Sequence, residues 1–330
     1  MTLLARTGAR YARILGVGRA LPSRVVDNAE MCTYIDSSDE WIRQRTGIVE
    51  RRWIADGESV ETLARDASLE AIANSGVAPA DIDAVIVSTV SYFHQTPGLA
   101  PKLAFQLGAI GAAAYDISAA CAGFCYAIAQ AEALIRSGAA THVLVVGAET
   151  LSRLTDLSDR STAFLFADGA GAVVIGPSDV NGISPVVWGS DGEAGPTIHQ
   201  ATDWEGAVRD QTWPYIWMDG RQVFRWASGF VADAALDILE KSGLTPDDLD
   251  TFIPHQANNR ITDAMLRHLK LPEHVKVARS IVNYGNNSAA SIPIAMSEML
   301  ASGEAKSGDT ALIIGFGAGL VYAGQVVTLP

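Results

Sequence analysis

The chain repeats three short segments of its own sequence in the same order, with offsets of 167, 168 and 153 residues, and this repeat constrains the fold more than any other feature. The segment SGVAPADID at 75–83 returns as SGLTPDDLD at 242–250, 167 residues later. Two apolar segments, VLVVG at 143–147 and AGAVV at 170–174, return in the same order as ALIIG at 311–315 and AGQVV at 323–327. Three ordered matches indicate a duplicated unit of about 150 residues, the size of one domain.

Short Val- and Ile-rich runs alternate with longer helical patterns within each copy. The runs at 84–87 and 251–254 directly follow the two copies of the SGVAPADID-type segment. Such alternation is typical of βαβ units with buried, largely parallel sheets. The sequence therefore predicts an α/β fold built from two similar halves.

Composition restricts the class of protein. Hydrophobic residues make up 48% of the 330 residues and charged residues 18%, which allows a large core. No apolar window approaches the length of about 18 residues that a membrane span needs, and the N-terminus lacks the apolar core of a secretory signal. Cys32, Cys121 and Cys125 are too few for a disulfide framework, and no His or Cys cluster around them suggests a zinc site. We expect a cytoplasmic protein without a metal.

The net charge of −13 argues against nucleic acid as a partner, because a phosphate-binding surface needs basic residues. One basic cluster nevertheless follows Trp41 and consists of Arg43, Arg45, Arg51 and Arg52. A solvated surface is one interpretation of this cluster. The neighbouring Trp41 favours a ligand that carries both an aromatic ring and phosphates.

Cys121 stands between a strand-like run at 112–117 and a helix-like run at 122–136. The N-terminus of a helix offers unpaired N–H groups and the positive end of its dipole, which favour a thiolate. We therefore expect the pKa of Cys121 to fall below its usual value of about 8.5, which would make the residue nucleophilic. A small buried residue is the other interpretation, and the surrounding residues alone leave the two equal.

The helix-like run after Cys121 is apolar nearly all round, so it is predicted to be buried between the two sheets. The repeat offset of 167 carries Cys121 to Ser288, two residues beyond Asn286. The pseudo-symmetry of the repeat therefore predicts that Cys121 and Asn286 approach each other.

Two further segments are candidates for the site. His255 follows the buried run at 251–254, and ligand sites in α/β folds form at the carboxyl ends of strands. A hydrogen-bonded structural histidine is the alternative. The turn GFGAG at 315–319 is followed by a strand-like run, which disfavours a dinucleotide loop and leaves an oxyanion donor or a plain tight turn.

Together these features resemble the β-ketoacyl-acyl carrier protein synthase III family of thiolase-fold condensing enzymes, over nearly the whole chain. The matching motifs stand in order at 38–42 (SDEWI), 45–48 (RTGI), 116–124 (DISAACAGF), 159–160 (DR), 166–172 (FADGAGA), 255–258 (HQAN), 285–291 (GNNSAAS) and 315–319 (GFGAG). The resemblance implies a five-layered αβαβα fold and a homodimer. It implies an N-terminal half, 1–180, with the nucleophilic Cys121, and a C-terminal half, 181–330, with His255 and Asn286.

The resemblance also implies a reaction. Cys121 would take an acyl group from an acyl-CoA primer, with the backbone N–H groups of Cys121 and Gly317 as the oxyanion hole. His255 and Asn286 would donate hydrogen bonds to the thioester oxygen of malonyl-acyl carrier protein during its decarboxylation. The product would be β-ketoacyl-acyl carrier protein in the initiation of type II fatty acid synthesis. Both thioesters are substrates, and no cofactor is expected.

Binding roles follow from the same resemblance. Trp41 and Arg160 would hold the adenine of CoA between them, Arg45 its phosphates and Asn258 the pantetheine arm. Arg260 would contact the acidic carrier protein or stand as an exposed helix cation. Thr96 occupies the position of a bulky Phe in acetyl-restricted members, on a loop that reaches the acyl pocket of the dimer partner. We therefore expect longer or branched primers.

Two departures from the family pattern and two alternative functions remain. Asn287 and Ala167 replace residues common in the family by similar ones. A polyketide-priming enzyme stays open, whereas a thiolase would need a later cysteine, and a 3-hydroxy-3-methylglutaryl-CoA-synthase-like enzyme would need an acid such as Glu149. A non-catalytic acyl-CoA or carrier-protein binding module is a different class, and the intact Cys121, His255 and Asn286 argue against it.

Overall fold

The structure is a computed structural model, and it describes residues 6–330. Its strands are β1 (Tyr11–Ala20), β2 (Arg24–Asp27), β3 (Glu50–Trp53), β4 (Ala84–Ser88), β5 (Ala113–Ile117), β6 (Val143–Thr150), β7 (Asp168–Ser178), β8 (Val187–Ser190), β9 (Ile198–Gln200), β10 (Ile216–Met218), β11 (Thr251–Pro254), β12 (Lys276–Val277), β13 (Thr310–Gly317) and β14 (Val321–Thr328). Its α-helices are α1 (Asn28–Tyr34), α2 (Asp39–Thr46), α3 (Val60–Ser75), α4 (Leu99–Leu107), α5 (Gly123–Arg136), α6 (Trp204–Asp210), α7 (Gly220–Trp226), α8 (Ala232–Ser242), α9 (Asn259–Leu269), α10 (Ile281–Tyr284) and α11 (Ser291–Ser302).

Two five-stranded sheets form the scaffold, and they have the same strand order. The first sheet runs β1-β7-β6-β4-β5, and the second, taken from its opposite edge, runs β8-β14-β13-β11-β12. The nine-residue repeat at 75–83 and 242–250 leads into β4 in one sheet and β11 in the other. The predicted duplication is thus visible as one topology used twice.

The repeat offset changes along the chain for a structural reason. Strands β6 and β13 begin 167 residues apart, whereas β7 and β14 begin 153 apart. The loop between β6 and β7 is long, and that between β13 and β14 is a tight turn. The first half therefore inserts a segment at this point, and this segment carries Arg160.

Each sheet is mixed, so the prediction of largely parallel sheets is wrong in part. Strand β4 pairs in parallel with β5 and β6, and β11 pairs in parallel with β12 and β13. Strands β7 and β14 then return antiparallel to β6 and β13. Both return strands are as buried and as apolar as the parallel ones, so their residue types do not distinguish the two directions.

Helices and sheets alternate in five layers. Helices α3 and α4 pack on the outer face of the first sheet through one apolar cluster, and α8 and α9 on the outer face of the second through another. Between the sheets, α5 and α11 belong to a third cluster that includes side chains of both sheets. The predicted central position of α5 is confirmed by Phe124 and Ile128, both fully buried there.

The strands of the first sheet lie between residues 11 and 178 and those of the second between 187 and 328. We keep the division at residue 180 as a proposal. No helix among residues 6–330 has the length and apolar character to cross a membrane.

Candidate active site

One large cavity collects nearly all of the residues predicted for the site. It has a volume of about 1430 Å³ and opens where the carboxyl ends of β5, β11 and β13 meet. Nine of the ten predicted residues line it: Trp41, Arg45, Cys121, Arg160, His255, Asn258, Arg260, Asn286 and Gly317. Residues from both halves therefore form one site.

Cys121 lies at the centre of a 3₁₀ turn, Ala120–Ala122, directly before α5. Ala120 adopts a left-handed backbone with φ of 43°, which is unfavourable for a residue with a Cβ. The turn Ser288–Ala290 before α11 contacts the Cys121 turn, and Ser288 has φ of 49°. The predicted approach of Cys121 to the Asn286 segment is thus present, and both segments enter their helices in the same way.

The electrostatic prediction for Cys121 is wrong in direction. Burial raises the pKa of the Cys121 thiol to about 12, and the nearby Glu149 charge adds to the rise, although a hydrogen bond from Ser288 opposes it. A helix N-terminus stabilises an adjacent anion by at most about 2 kcal/mol, which corresponds to a pKa change of about 1.5. Desolvation therefore outweighs the helix dipole, and the pKa of the Cys121 thiol lies above its usual value.

Gly317 at the end of β13 leaves room for the thiol. A Cβ built on Gly317 would lie 2.8 Å from both Sγ and Cβ of Cys121 and 3.2 Å from its backbone nitrogen. Only a residue without a side chain lets the backbone approach the sulfur so closely. Cys121 and Gly317, the two residues predicted to form the oxyanion hole, are therefore in contact, and the role of their N–H groups stays a prediction.

His255 follows the last residue of β11 and is almost completely buried, with 2% of its surface exposed. Burial lowers the pKa of His255 to about 3, so the imidazole is neutral near pH 7. The ring of Phe316 packs edge-on against it, with centroids 5.3 Å apart. The histidine is therefore a fixed neutral ring and a poor base.

Asn286 is held between the two halves by its own backbone. Its N–H donates to the carbonyl of Leu165 at 3.0 Å, and its carbonyl accepts the N–H of Ala167 at 2.9 Å. The N–H of Ser288 donates to the side-chain Oδ1 of Asn286 at 2.9 Å. Because Oδ1 is engaged, the amide Nδ2 is the group of Asn286 left to serve the cavity.

The ring of Trp41 at the cavity wall contacts the guanidinium groups of two arginines. The guanidinium carbon of Arg45 lies 5.4 Å and that of Arg160 5.3 Å from the Trp41 ring centroid, and Phe164 packs edge-on against the same ring. A ring stacked between Trp41 and Arg160 needs about 7 Å, twice the van der Waals separation of about 3.5 Å. Arg160 would therefore have to move outward by about 2 Å to admit a nucleotide base.

The four arginines of the basic cluster predicted near Trp41 do not form one surface. Arg43 pairs with Asp39 at 2.7 Å, and Arg52 with Glu50 at 3.6 Å. Arg51 is fully buried, and its guanidinium donates to Asn28 and to backbone carbonyls. Of the four arginines only Arg45 lines the cavity.

Asn258 and Arg260 lie at the start of α9. The Oδ1 of Asn258 caps the helix by accepting the N–H of Arg260 at 2.9 Å. The Arg260 guanidinium lies 5.6 Å from the ring of Phe224 in α7. The same helix contributes Arg221 and Arg225 to the cavity lining. Sequence reasoning missed this pair, although the spacing i, i+4 with Phe224 between them was a readable signal.

Thr96 is the one predicted site residue that does not line the cavity of its own chain. It is exposed on the connection between β4 and α4, and its neighbour Gln95 does line the cavity. Its assignment to the acyl pocket of a partner subunit stays a prediction.

Glu149 is a buried acid close to the site. Its carboxylate accepts hydrogen bonds from Ser91 Oγ at 2.5 Å and from the backbone N–H of Val90 at 3.2 Å. Burial raises the pKa of Glu149 to about 7 despite these bonds. The sequence singled out this residue only as an alternative acid. Its influence on Cys121 depends on the packing of β6 against the Ser288 turn, which contacts the Cys121 turn.

A five-layered α/β scaffold with Cys, His and Asn in one cavity defines the thiolase-fold condensing enzymes. The family described as 3-oxoacyl-[acyl-carrier-protein (ACP)] synthase III matches residues 115–192, and its C-terminal part matches residues 239–329. The chain belongs to this family of acyltransferases.

Known proteins are similar in sequence to this chain over nearly its full length. The chain is 56% identical to β-ketoacyl-[acyl-carrier-protein] synthase III of Streptomyces glaucescens, with 98% of each chain covered. It is 49% identical to the mycobacterial β-ketoacyl-[acyl-carrier-protein] synthase III of Mycobacterium tuberculosis, covering 100% of this chain and 99% of the relative. Among solved structures, the priming β-ketosynthase from the R1128 polyketide biosynthetic pathway superposes with a TM-score of 0.97 at 47% identity, covering 100% of this chain and 99% of that one. The predicted fold class and family are thereby confirmed.

Proposed function

We propose that the protein condenses an acyl-CoA primer with malonyl-acyl carrier protein, giving β-ketoacyl-acyl carrier protein, CoA and CO₂ at the start of type II fatty acid synthesis. The observation that carries this function is the meeting of Cys121, His255, Asn286 and Gly317 in one cavity. Membership of the synthase III family supports the same reaction.

In the first step, the sulfur of Cys121 attacks the carbonyl carbon of the acyl-CoA thioester. The tetrahedral oxyanion accepts hydrogen bonds from the backbone N–H groups of Cys121 and Gly317. The carbon–sulfur bond to CoA then breaks, and the proton that Cys121 loses ends on the CoA sulfur. Because the Cys121 thiol has a pKa of about 12, proton removal accompanies attack rather than preceding it.

In the second step, the malonyl thioester loses CO₂, and the electron pair of the broken C–C bond moves to the thioester oxygen. The neutral imidazole of His255 and the Nδ2 of Asn286 donate to that oxygen as its charge grows. Each such donor contributes about 3 kcal/mol to the barrier reduction. The enolate carbon attacks the acyl-Cys121 carbonyl, Cys121 leaves as a thiolate, and a solvent proton restores the thiol.

Substrate binding uses the cavity wall away from Cys121. Trp41 and Arg160 hold the adenine of CoA between them, Arg45 pairs with its phosphates, and Asn258 contacts the pantetheine arm. The contacts of both cations with the Trp41 ring support this arrangement, in which Arg160 moves outward by about 2 Å to admit the base.

The carrier protein docks at the basic rim of the cavity. Arg260, Arg221 and Arg225 line it on α7 and α9. These cations give a protein of net charge −13 a local surface that attracts an acidic partner.

The small side chain of Thr96 would leave room for longer or branched primers in the acyl pocket of the partner subunit. Acylation rates with acetyl-CoA, isobutyryl-CoA and hexanoyl-CoA test this part. A strong preference for acetyl-CoA would contradict it.

Two copies of the chain form the working enzyme. The edge strand β5 pairs only with β4 within the described residues, and Tyr115 on it is 37% exposed. A second β5 can extend the sheet there, since an open strand edge favours pairing.

The free cysteines support a reducing cytoplasm as the location of the protein. Acyl transfer with decarboxylation needs no cofactor, because both thioesters are substrates.

The test of this function combines purified protein, acyl-CoA and malonyl-acyl carrier protein. The product is identified from the mass of the modified carrier protein. We expect a β-ketoacyl group and free CoA. The Cys121→Ala variant should lose condensation while it still releases CO₂ from malonyl-acyl carrier protein. A Cys121→Ala variant that condenses at the wild-type rate would exclude the mechanism, and unchanged carrier protein with wild type would support a binding module.

Priming of a polyketide is the second candidate. The R1128 priming β-ketosynthase, at a TM-score of 0.97, supports it. The two candidates differ in the carrier protein used, so kcat/KM with a fatty-acid carrier and with a polyketide carrier distinguishes them.

A further inference from the structure

A buried hydroxyl group lies behind the histidine of the site. Nδ1 of His255 is 2.7 Å from Oγ of Ser291, the first residue of α11, and Ser291 is fully buried. The backbone N–H of Gln256 donates to the same Oγ at 3.2 Å. The hydroxyl therefore has two polar neighbours, and one of them can only donate.

The proton of the Ser291 hydroxyl has one partner in the described residues. Because the Gln256 N–H occupies one lone pair of Oγ, the hydroxyl hydrogen is free to point at Nδ1. If Nδ1 carried a hydrogen itself, Oγ would face two donors, and its own proton would be buried without an acceptor. Such burial is costly, so Nδ1 accepts and Nε2 carries the ring hydrogen.

A fixed tautomer matters because His255 carries only one ring proton. The ring is neutral, and Phe316 restricts its plane. An Nδ1–H tautomer would present a lone pair to the cavity and repel the growing charge on the malonyl thioester oxygen. The side-chain amide of Asn286 is oriented in a similar way. The N–H of Ser288 donates to its Oδ1, which leaves Nδ2 to donate to the same thioester oxygen.

We propose that Ser291 is a positioning residue that holds His255 in the Nε2-protonated tautomer, so that His255 donates to the malonyl thioester oxygen. This inference rests on the proposed function. It assigns a role to a residue that touches neither substrate nor reacting atom.

The direct test is nitrogen NMR of the complete wild-type protein with ¹⁵N-labelled histidine, the His255 signal being assigned by its loss in a His255→Ala variant. We expect a neutral ring with hydrogen on Nε2 throughout the range in which the fold is stable. A wild-type ring with hydrogen on Nδ1 would overturn the inference, and this outcome does not depend on whether a Ser291 variant folds.

The kinetic test uses Ser291→Ala. We expect decarboxylation of malonyl-acyl carrier protein to fall about tenfold or more in kcat, with little change in KM and an unchanged rate of Cys121 acylation by acyl-CoA. Its His255 spectrum should show a mixture of tautomers. Ser291→Thr keeps a hydroxyl and should recover part of the loss.

Ser297→Ala is the matched control, because Ser297 is another buried serine of α11. Equal losses in Ser297→Ala and Ser291→Ala, or a Ser291→Ala enzyme with wild-type kcat, would refute the positioning role. If wild type itself fails to condense, the proposed function is wrong, which is a separate result from an unaltered tautomer in an active enzyme.

Discussion

Ala120 and Ser288 adopt the same left-handed backbone conformation, with φ of 43° and 49°, at positions 168 residues apart. Each is the first residue of a 3₁₀ turn that leads into a central helix. One turn carries Cys121 and the other follows Asn286. The duplication has thus placed the same strained turn on both sides of the cavity, and strain of this kind persists where the surrounding packing requires it.

A β-branched residue at Ala120 should displace Cys121. Left-handed backbone costs an L-residue roughly 1–2 kcal/mol, and more when the side chain is branched. We expect Ala120→Val to slow acylation by about tenfold or more. Ala120→Gly, which removes the steric conflict, should acylate at a rate close to wild type. Stopped-flow release of CoA measures both, and equal rates for the two variants would contradict a role of the turn.

Gly317→Ala should block the site without unfolding the protein. The added Cβ would lie 2.8 Å from Cys121 Sγ, closer than real Cβ atoms approach, so the thiol must move. A displacement of about 1 Å at a reacting atom can cost about a hundredfold in rate. Gly192→Ala is the control, since a Cβ there meets nothing within 4 Å. Acylation by Gly317→Ala at the control rate would show that the backbone is not as close as described.

Glu149→Gln should make Cys121 more reactive above neutral pH. The Glu149 carboxylate raises the pKa of Cys121, so removing its charge lowers that pKa and increases the thiolate fraction. Alkylation by iodoacetamide at about pH 8 should become about twofold faster or more. Below about pH 6 the difference should disappear, because the pKa of Glu149 is about 7 and the wild-type acid is then neutral.

The Glu149→Gln substitution should also change how the free energy of unfolding depends on pH. The folded pKa of Glu149 is raised from 4.5 to about 7, so its ionisation lowers the free energy of unfolding as pH rises through that interval. The Tm of Glu149→Gln should therefore fall less than that of wild type over this range. Glu132→Gln, which removes a half-buried acid of α5 that pairs with Arg136, is the control. Parallel profiles for Glu149→Gln and wild type would contradict the raised pKa.

Arg160→Ala should weaken acyl-CoA binding and leave chemistry intact. A cation–π contact contributes about 0.5–2 kcal/mol, which predicts a rise in KM for acyl-CoA of about two- to thirtyfold. Transfer from an acyl-N-acetylcysteamine thioester, which lacks the nucleotide, should not change. Arg24→Ala removes a contact of the same 5.3 Å length over Trp53, which does not line the cavity, and serves as the control. A loss that is equal with both donors would place Arg160 outside nucleotide binding.

The sequence predicts the scaffold well because the repeat combines buried apolar strands with the exposed turns that precede them. Strands β4 and β11 are short, apolar and buried, and the turns before them contain the same Gly, Pro and Asp residues, so the pattern is visible in both copies. The predicted topology then places Cys121, His255 and Asn286 at neighbouring strand and helix ends. The direction of β7 and β14 does not, because strands buried on both faces have the same composition in either direction.

What the sequence could not predict depends on contacts between distant segments. The pKa of Cys121 is decided by the packing of β13 and of the Ser288 turn around the sulfur, whereas the local sequence shows only the helix N-terminus. Ser291 has no signal beyond its place in a motif, since its partner His255 lies 36 residues away. The wall built from β9, α6, β10 and α7 has exposed aromatic side chains and no counterpart in the repeat.

The most direct test of the central claim is the mass of the peptide that carries Cys121. Trypsin cleaves after Lys102 and Arg136, so one peptide holds both Cys121 and Cys125, and fragmentation between them assigns the modified residue. After incubation with acyl-CoA, we expect the acyl mass on Cys121 and none on Cys125. Addition of malonyl-acyl carrier protein should remove this mass and place an equal amount of β-ketoacyl group on the carrier. An acyl group on any other residue, or one on Cys121 that malonyl-acyl carrier protein leaves in place while product forms, would contradict the account.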